Sequence, residues 1–204
     1  MSISGSRSTL AVLFITVLTF NACSKKESHG MDTTAASSTT SADTSAMAAG
    51  APSTSGNWTD NNIFALLDEA NVADSAAGAL AATKGTASAV REFGKRMMRD
   101  HHQLRAQGEA LAKKLKIIPA PPSDDHILPD AQLEMDTLNS TAKGKDFDKA
   151  YIDGEVDGHK KVLELLTKAA QQTQITELKN LIQKAAPVVL GHLDGAEAIQ
   201  KTLK

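Results

Sequence analysis

Cysteine occurs once in the 204 residues, at Cys23, so no internal disulfide can staple the fold. Aromatic side chains make up 3% of the chain, with a single Trp and a single Tyr. Charge of one sign is also missing: 22 Lys and Arg stand against 24 Asp and Glu, a formal net charge of −2. Without a basic excess or aromatic platforms, nucleic acid is excluded as the natural partner, and an anionic membrane surface is poorly served. No apolar run reaches the roughly 20 residues that span a bilayer as a helix. No segment alternates polar and apolar residues as a half-buried strand would. The lone thiol therefore needs an explanation of its own.

The N-terminus supplies one. Arg7 precedes LAVLFITVLTFNAC, a short apolar run ending in Ala22-Cys23. A basic residue, a short apolar core and a small residue before the cut describe a secretory signal peptide over 1–22. The segment resembles a bacterial lipoprotein signal, which would be cleaved before Cys23 and lipidated on that thiol. The alternatives are a cleaved signal leaving a free cysteine and an uncleaved anchor. Lipidation implies a protein anchored to a membrane without spanning it. The expected location is outside the cytoplasm, as an outer-membrane lipoprotein facing the periplasm or otherwise periplasmic. Residues 24–57 are rich in Ser, Thr, Ala and Gly. They hold too little apolar surface to fold and read as a disordered tether that also carries His29.

From Trp58 helical periodicity takes over. Thr59 or Asp60 can cap a first helix to about Lys84, and Gly85-Thr86 breaks it. A second helix runs to about Lys116. Residues 117–129 contain Pro119, Pro121 and Pro122 and cannot continue it. A short helix from about Asp130 to Ala142, a long one over about Asp146–Gln172 and a last one over about Thr176–Leu203 follow. The pattern is all-α: a four-helix bundle over 58–204, with a short extra helix in the crossover. Pro187 predicts a kink or break in the last helix near Ala185–Ala186.

Helical geometry turns about 100° per residue, so apolar stripes can be drawn and polar intruders located. Ile63, Leu67, Ala70, Gly78 and Ala81 align on the first helix with Asp74 among them. Val90, Phe93, Met97, Leu104, Leu111 and Leu115 form the second stripe; His101 falls within it and His102 points out. On the fourth segment His159 sits amid Ile152, Val156, Val162, Leu163, Leu166 and Ala170, with Glu155 one turn earlier. On the last, His192 is central to Leu178, Leu181, Ala185, Val188, Ala196, Ile199 and Leu203. One ionisable residue in an apolar stripe is unremarkable, but four are better explained if they meet, because an unpartnered buried polar group costs several kcal/mol, roughly. Asp74, His101, His159 and His192 are thus candidate ligands for Zn²⁺, Fe²⁺ or Cu²⁺. Met97, one turn from His101, would favour copper if its thioether joined. Asp100, Glu155 and Tyr151 are candidates to orient the imidazoles. Gly154, Gly158, Gly191 and Gly195 either clear backbone around such a site or pack helices closely.

The stretches DSAAGALAATKGTASAVREFGKRMMRDHHQ, GKDFDKAYIDGEVDGHKKVLELL and APVVLGHL resemble the DUF4142 family of bacterial exported proteins. The resemblance runs from about Asn62 to Leu203. Its motifs fall on Gly78, Leu80 and Ala81; on Met97, Asp100 and His101; on Phe147, Asp148 and Tyr151; on His159; and on Pro187, His192 and Leu193. It implies a ferritin-like helical bundle and assigns no activity. Asp74 stands where the family usually has Glu, and Gly158 where it often has Asp.

Two functional readings follow. One is a lipid-anchored, non-enzymatic bundle that binds a metal in its core. The other is a structural or interaction module of the envelope whose histidines are hydrogen-bonded in a metal-free polar layer. A di-iron oxidase is disfavoured, because Met98, Val156 and Val189 stand where Glu-x-x-His pairs need Glu. No serine or cysteine carries the local signature of a hydrolytic nucleophile.

Overall fold

Thr59 starts the first helix by a reciprocal arrangement. Its side chain accepts from the Asn62 backbone N–H, and the Asn62 side chain accepts from the Thr59 N–H. This capping box satisfies donors that a helix N-terminus otherwise leaves unpaired. The computed structural model describes residues 56–203. The expected signal peptide over 1–22, lipidation at Cys23 and the tether up to residue 55 lie outside them.

Among the described residues there are five helices and no strand: α1 (Asp60–Lys84), α2 (Ser88–Leu115), α3 (Ile127–Ser140), α4 (Lys145–Gln172) and α5 (Thr176–Thr202). None of them is long and apolar enough to cross a membrane. Short connections over 85–87 and 173–175 fold α1 on α2 and α4 on α5 as antiparallel pairs. The pairs join through α2 against α5 and α1 against α4, which makes the four-helix bundle; α3 lies on α1 and α4.

Two buried devices fix this arrangement. Ala87, at the start of α2, has no side-chain cap of its own. The buried Asp148 of α4 replaces it, accepting from the backbone N–H groups of Thr86 (2.8 Å) and Ala87 (2.7 Å). Gly78 and Gly94 set the spacing of α1 and α2. A Cβ on Gly78 would lie 2.7 Å from the Gly94 carbonyl oxygen, and one on Gly94 2.6 Å from that of Gly78. Only glycine lets the backbones approach this closely.

The crossover after α2 is laid back over the beginning of α1. Ala120 N–H donates to the Asn61 carbonyl, and the side chains of Asn61 and Asn62 donate to the carbonyls of Ile118 and Ala120. α3 begins three residues before the expected Asp130. Pro129 did not exclude this, because it occupies the first helical turn, where a backbone N–H has no intrahelical acceptor. Pro187 likewise does not end α5, which runs through it.

The α5 stripe also differs from the expected one. Val188 is 37% exposed and Val189 only 2%. Leu178, His192 and Ala196 stand in both stripes, and between them the buried positions are Ile182 and Val189, each one residue, or about 100°, on from the expected Leu181 and Val188.

Two apolar clusters result. One contains Val90, Phe93, Met97, Phe147, Tyr151, Ile152 and Val156; the other Ile63, Phe64, Ala112, Leu166, Leu178, Ile182 and Val189. On every long helix, a polar residue falls between the part in one cluster and the part in the other: Asp74, His101, His159 and His192. The bundle is an apolar–polar–apolar sandwich along its length.

Candidate metal centre

His101, His159 and His192 are fully buried and come from α2, α4 and α5. Their ring centroids form a nearly equilateral triangle with edges of 5.0, 5.4 and 5.5 Å. One ring nitrogen from each lies within 4.8 Å of the others.

Each imidazole is held by its other nitrogen. His101 Nδ1 is 3.0 Å from Asn71 Oδ1. The amide of Asn71 is itself oriented, because its Nδ2 donates to the Leu67 carbonyl at 2.6 Å. Oδ1 is thus the acceptor, Nδ1 of His101 carries the proton, and Nε2 keeps its lone pair. His159 Nδ1 donates to the Glu155 backbone carbonyl at 2.9 Å, again leaving Nε2 as the lone-pair nitrogen. His192 is turned the other way: Nε2 donates to Asp100 Oδ2 at 3.0 Å, leaving Nδ1. The three nitrogens left over, His101 Nε2, His159 Nε2 and His192 Nδ1, are buried and have no hydrogen-bond partner.

Electrostatics keeps these rings neutral. Burial lowers His101 to about 3 and His159 to about 4, with the neighbouring imidazoles adding to the effect. Burial also lowers His192, against the opposing pull of the Asp100 hydrogen bond. Asp100 stays below the usual carboxylate range despite its own burial, held there by His192 and by Arg99, whose Nε is 3.0 Å from Oδ1. Three neutral imidazoles with unpartnered nitrogens facing a shared space form a donor set that suits Zn²⁺, Fe²⁺ or Cu²⁺. Metal–nitrogen bonds of about 2.0–2.1 Å would draw the nitrogens together by no more than about 1.5 Å. The donors fit such an ion.

Asp74 is not a fourth corner of this triangle. It belongs to an adjoining group, Asp74, Glu155 and His159, whose ligand atoms lie within 4.8 Å of one another. Asp74 Oδ2 is 3.5 Å from His101 Nδ1, the nitrogen bonded to Asn71, not the open one. Burial and the charge of Glu134 push Asp74 up to about 7. Burial and the charge of Asp74 raise Glu155 well above its ordinary value. Tyr151 is fully buried, and burial together with nearby Glu155 raises its phenol.

The supporting residues are partly those expected. Asp100 does orient an imidazole, but it is His192 across the bundle and not adjacent His101. Glu155 holds His159 through its main-chain carbonyl, while its carboxylate Oε2 stands 3.3 Å from the same Nδ1. Met97 is buried in the aromatic cluster. His102 is exposed, as the helical wheel requires. Asn71 was missed; the available signal was an amide in mid-helix three residues before Asp74, on the same face. The glycines preceding His159 and His192 do not clear backbone, since a Cβ on Gly158 or Gly191 meets nothing within 4 Å. Gly154, by contrast, abuts the Glu134 carboxylate, and a Cβ on Gly195 would press on Phe93 at 3.3 Å.

A search among curated proteins found no match. Among solved structures, one described as "CopM in the Cu(II)-bound form" is similar, with a TM-score of 0.59 and 12% identity over 72% of this chain and 99% of that one. At that identity the likeness concerns the fold. The family model "Domain of unknown function (DUF4142)" matches residues 42–199, which include all of α1, α2 and α4, all but the last three residues of α5, and every residue of the polar layer. The chain belongs to the DUF4142 family.

Proposed function

We propose that this chain is a non-enzymatic metal-binding bundle of the cell envelope, which holds one transition-metal ion between His101, His159 and His192. The observation that carries this reading is the set of three buried ring nitrogens without partners. A hydrogen-bonded polar layer without metal would have no reason to leave them so, since each unmade bond costs about 1–3 kcal/mol. Asn71, the Glu155 carbonyl and Asp100 fix the ring orientations and tautomers beforehand. A bound Zn²⁺ would supply a structural tie, and copper or iron a one-electron couple. The copper-bound state of the structural neighbour places copper among the ions to test first. The lipoprotein-like run ending in Cys23 supports a lipid anchor and a periplasmic setting for the bundle.

The test is metal content. Purified full-length chain should carry about one equivalent of Zn²⁺ or Cu²⁺ after loading, and the His159→Ala/His192→Ala variant none. Chelation should lower the melting temperature of the wild type but not of the variant, because an ion bound only to the folded state stabilises it. A wild type that takes up no metal and melts identically with and without chelator would refute the proposal.

A further inference from the structure

Packed protein interiors leave few spaces larger than a water molecule. In this bundle a cavity of about 250 Å³ stands among the residues of the second apolar cluster, with walls from α1, α2, α4 and α5 and from Pro119 of the crossover. Leu67, Leu104, Leu166 and Ile182 make its surface aliphatic. The residue choice keeps it open, because Ala70, Gly108, Ala112 and Ala185 line it where larger apolar side chains would close it. Gly108 is the informative one, since it lies inside α2, where glycine costs stability relative to alanine. Gly78 and Gly94 offset that cost by letting two backbones meet, but a Cβ on Gly108 would meet nothing within 4 Å. No close approach requires glycine there, and its missing side chain leaves the edge of the cavity clear.

The polar groups around the cavity define what it can hold. At its outer end Arg105 Nε donates to Asp68 Oδ1 at 2.8 Å, and Arg105 Nη2 stands 3.1 Å from Glu109 Oε1. Half-exposed ion pairs of this kind add little stability, so they can part to admit a molecule. They also leave Arg105 no charge to spare, and no other Lys or Arg among the described residues lines the cavity. An acid would therefore be buried without a counter-charge. At the inner end, Asn71 donates one N–H to the Leu67 carbonyl and accepts one from His101. Its amide keeps one donor and one lone pair that no described residue uses, enough to meet a single polar atom.

We propose that this cavity binds a compact neutral molecule, largely apolar, about the size of indole and carrying at most one polar group. An apolar cavity of about 150 Å³ is enough to hold benzene, so the larger space here has room for a second fused ring. The proposal goes beyond the metal-binding reading and does not depend on it, since neither His159 nor His192 lines the cavity.

Indole is the probe, titrated calorimetrically into full-length, chelator-stripped chain. Wild type should bind one molecule with a dissociation constant below about 1 mM, and its melting temperature should rise with indole concentration. Ala112→Leu and, separately, Ala185→Leu add bulk where α2 and α5 line the cavity, and each should weaken indole by about tenfold or more. Gly108→Leu, at a half-buried position where a new side chain meets no neighbour, should weaken it as well and keeps the test if an alanine variant fails to fold. Circular dichroism checks the helix content of each variant. Leu133→Ala, an exposed position of α3 outside the cavity, should leave indole binding unchanged. Benzoate, small and aromatic but charged, should bind about tenfold more weakly than indole, or worse. Indole that does not bind below about 1 mM, binds the folded filled variants as tightly as wild type, is lost equally in Leu133→Ala, or binds no better than benzoate overturns the proposal.

Discussion

Either side of the polar layer the bundle is apolar, yet the two ends are filled differently. Toward the α1–α2 turn, Phe147 stacks on Tyr151 with centroids 6.5 Å apart, Phe93 meets Tyr151 edge-on, and Asp148 ties α4 to the start of α2. Toward the α4–α5 turn the filling is mostly aliphatic, from Ile63, Leu166, Ile182 and Val189. There a cavity of about 250 Å³ remains, reaching Asn71, Asp74 and His101. The aromatic end acts as a rigid floor that sets the helix spacing. The aliphatic end leaves the imidazoles room to adjust when they close on an ion.

Breaking the floor should have the largest effect. Phe147→Ala should cost about 3–5 kcal/mol, read by urea or thermal unfolding, since it removes a fully buried ring from the tighter end. If the variant still folds, the metal stoichiometry should survive, because Phe147 touches no ligand.

Changing the layer itself is the next step down. Asn71→Ala removes the acceptor that fixes the His101 tautomer, and zinc or copper affinity should fall about 10–100-fold with stoichiometry unchanged. Unchanged affinity would show that Asn71 does not prepare the ring.

Acidity probes the same layer with a smaller net effect, because its two halves oppose each other. His101 and His159 titrate near 3 and 4 when folded and near 6.5 when unfolded, so the unfolded chain binds more protons between those values. Their contribution is complete above pH 6.5 and is lost as pH falls toward 4. Asp74, raised to about 7, and Glu155, raised as well, act in the opposite sense. Their contribution is present below the usual carboxylate range and is lost as pH rises, for Asp74 through about 7. Metal-free wild type should therefore be most stable near mildly acidic pH. The Asp74→Asn/Glu155→Gln variant should lose the alkaline decline that these two carboxyls supply, its melting temperature rising from pH 5 to about pH 6.5 and then levelling off.

The smallest effect should come from filling the loose end. Ala112 borders the cavity, and Ala112→Val should stabilise the metal-free chain by about 0.5–1 kcal/mol if its rotamer suits the space. A loss of stability there would mean the aliphatic end is packed as tightly as the aromatic one.

Much of this was legible in the chain. All five helices were expected, with boundaries a few residues off at most, because caps, glycine breaks and prolines act over one turn. His101, His159 and His192 were placed inward and His102 outward by the same local rule. The exceptions are also physical. Val188 and Val189 lie about 40° and 60° to either side of His192 on the helical wheel, so rotation alone does not choose between them. Pro187 was read as a kink or a break near Ala185–Ala186, and a break is not what it makes, since α5 runs through it.

The sequence by itself determined which side chains each helix turns toward the core, because rotation per residue is a property of the backbone alone. Only tertiary structure decided who meets whom. It paired Asp100 with His192 across the bundle, brought Asn71 to His101, and divided Asp74 from the imidazole triangle to stand beside Glu155. Those relations depend on how far one helix slides along another, which is fixed by contacts such as Gly78 against Gly94, more than a dozen residues apart in the chain.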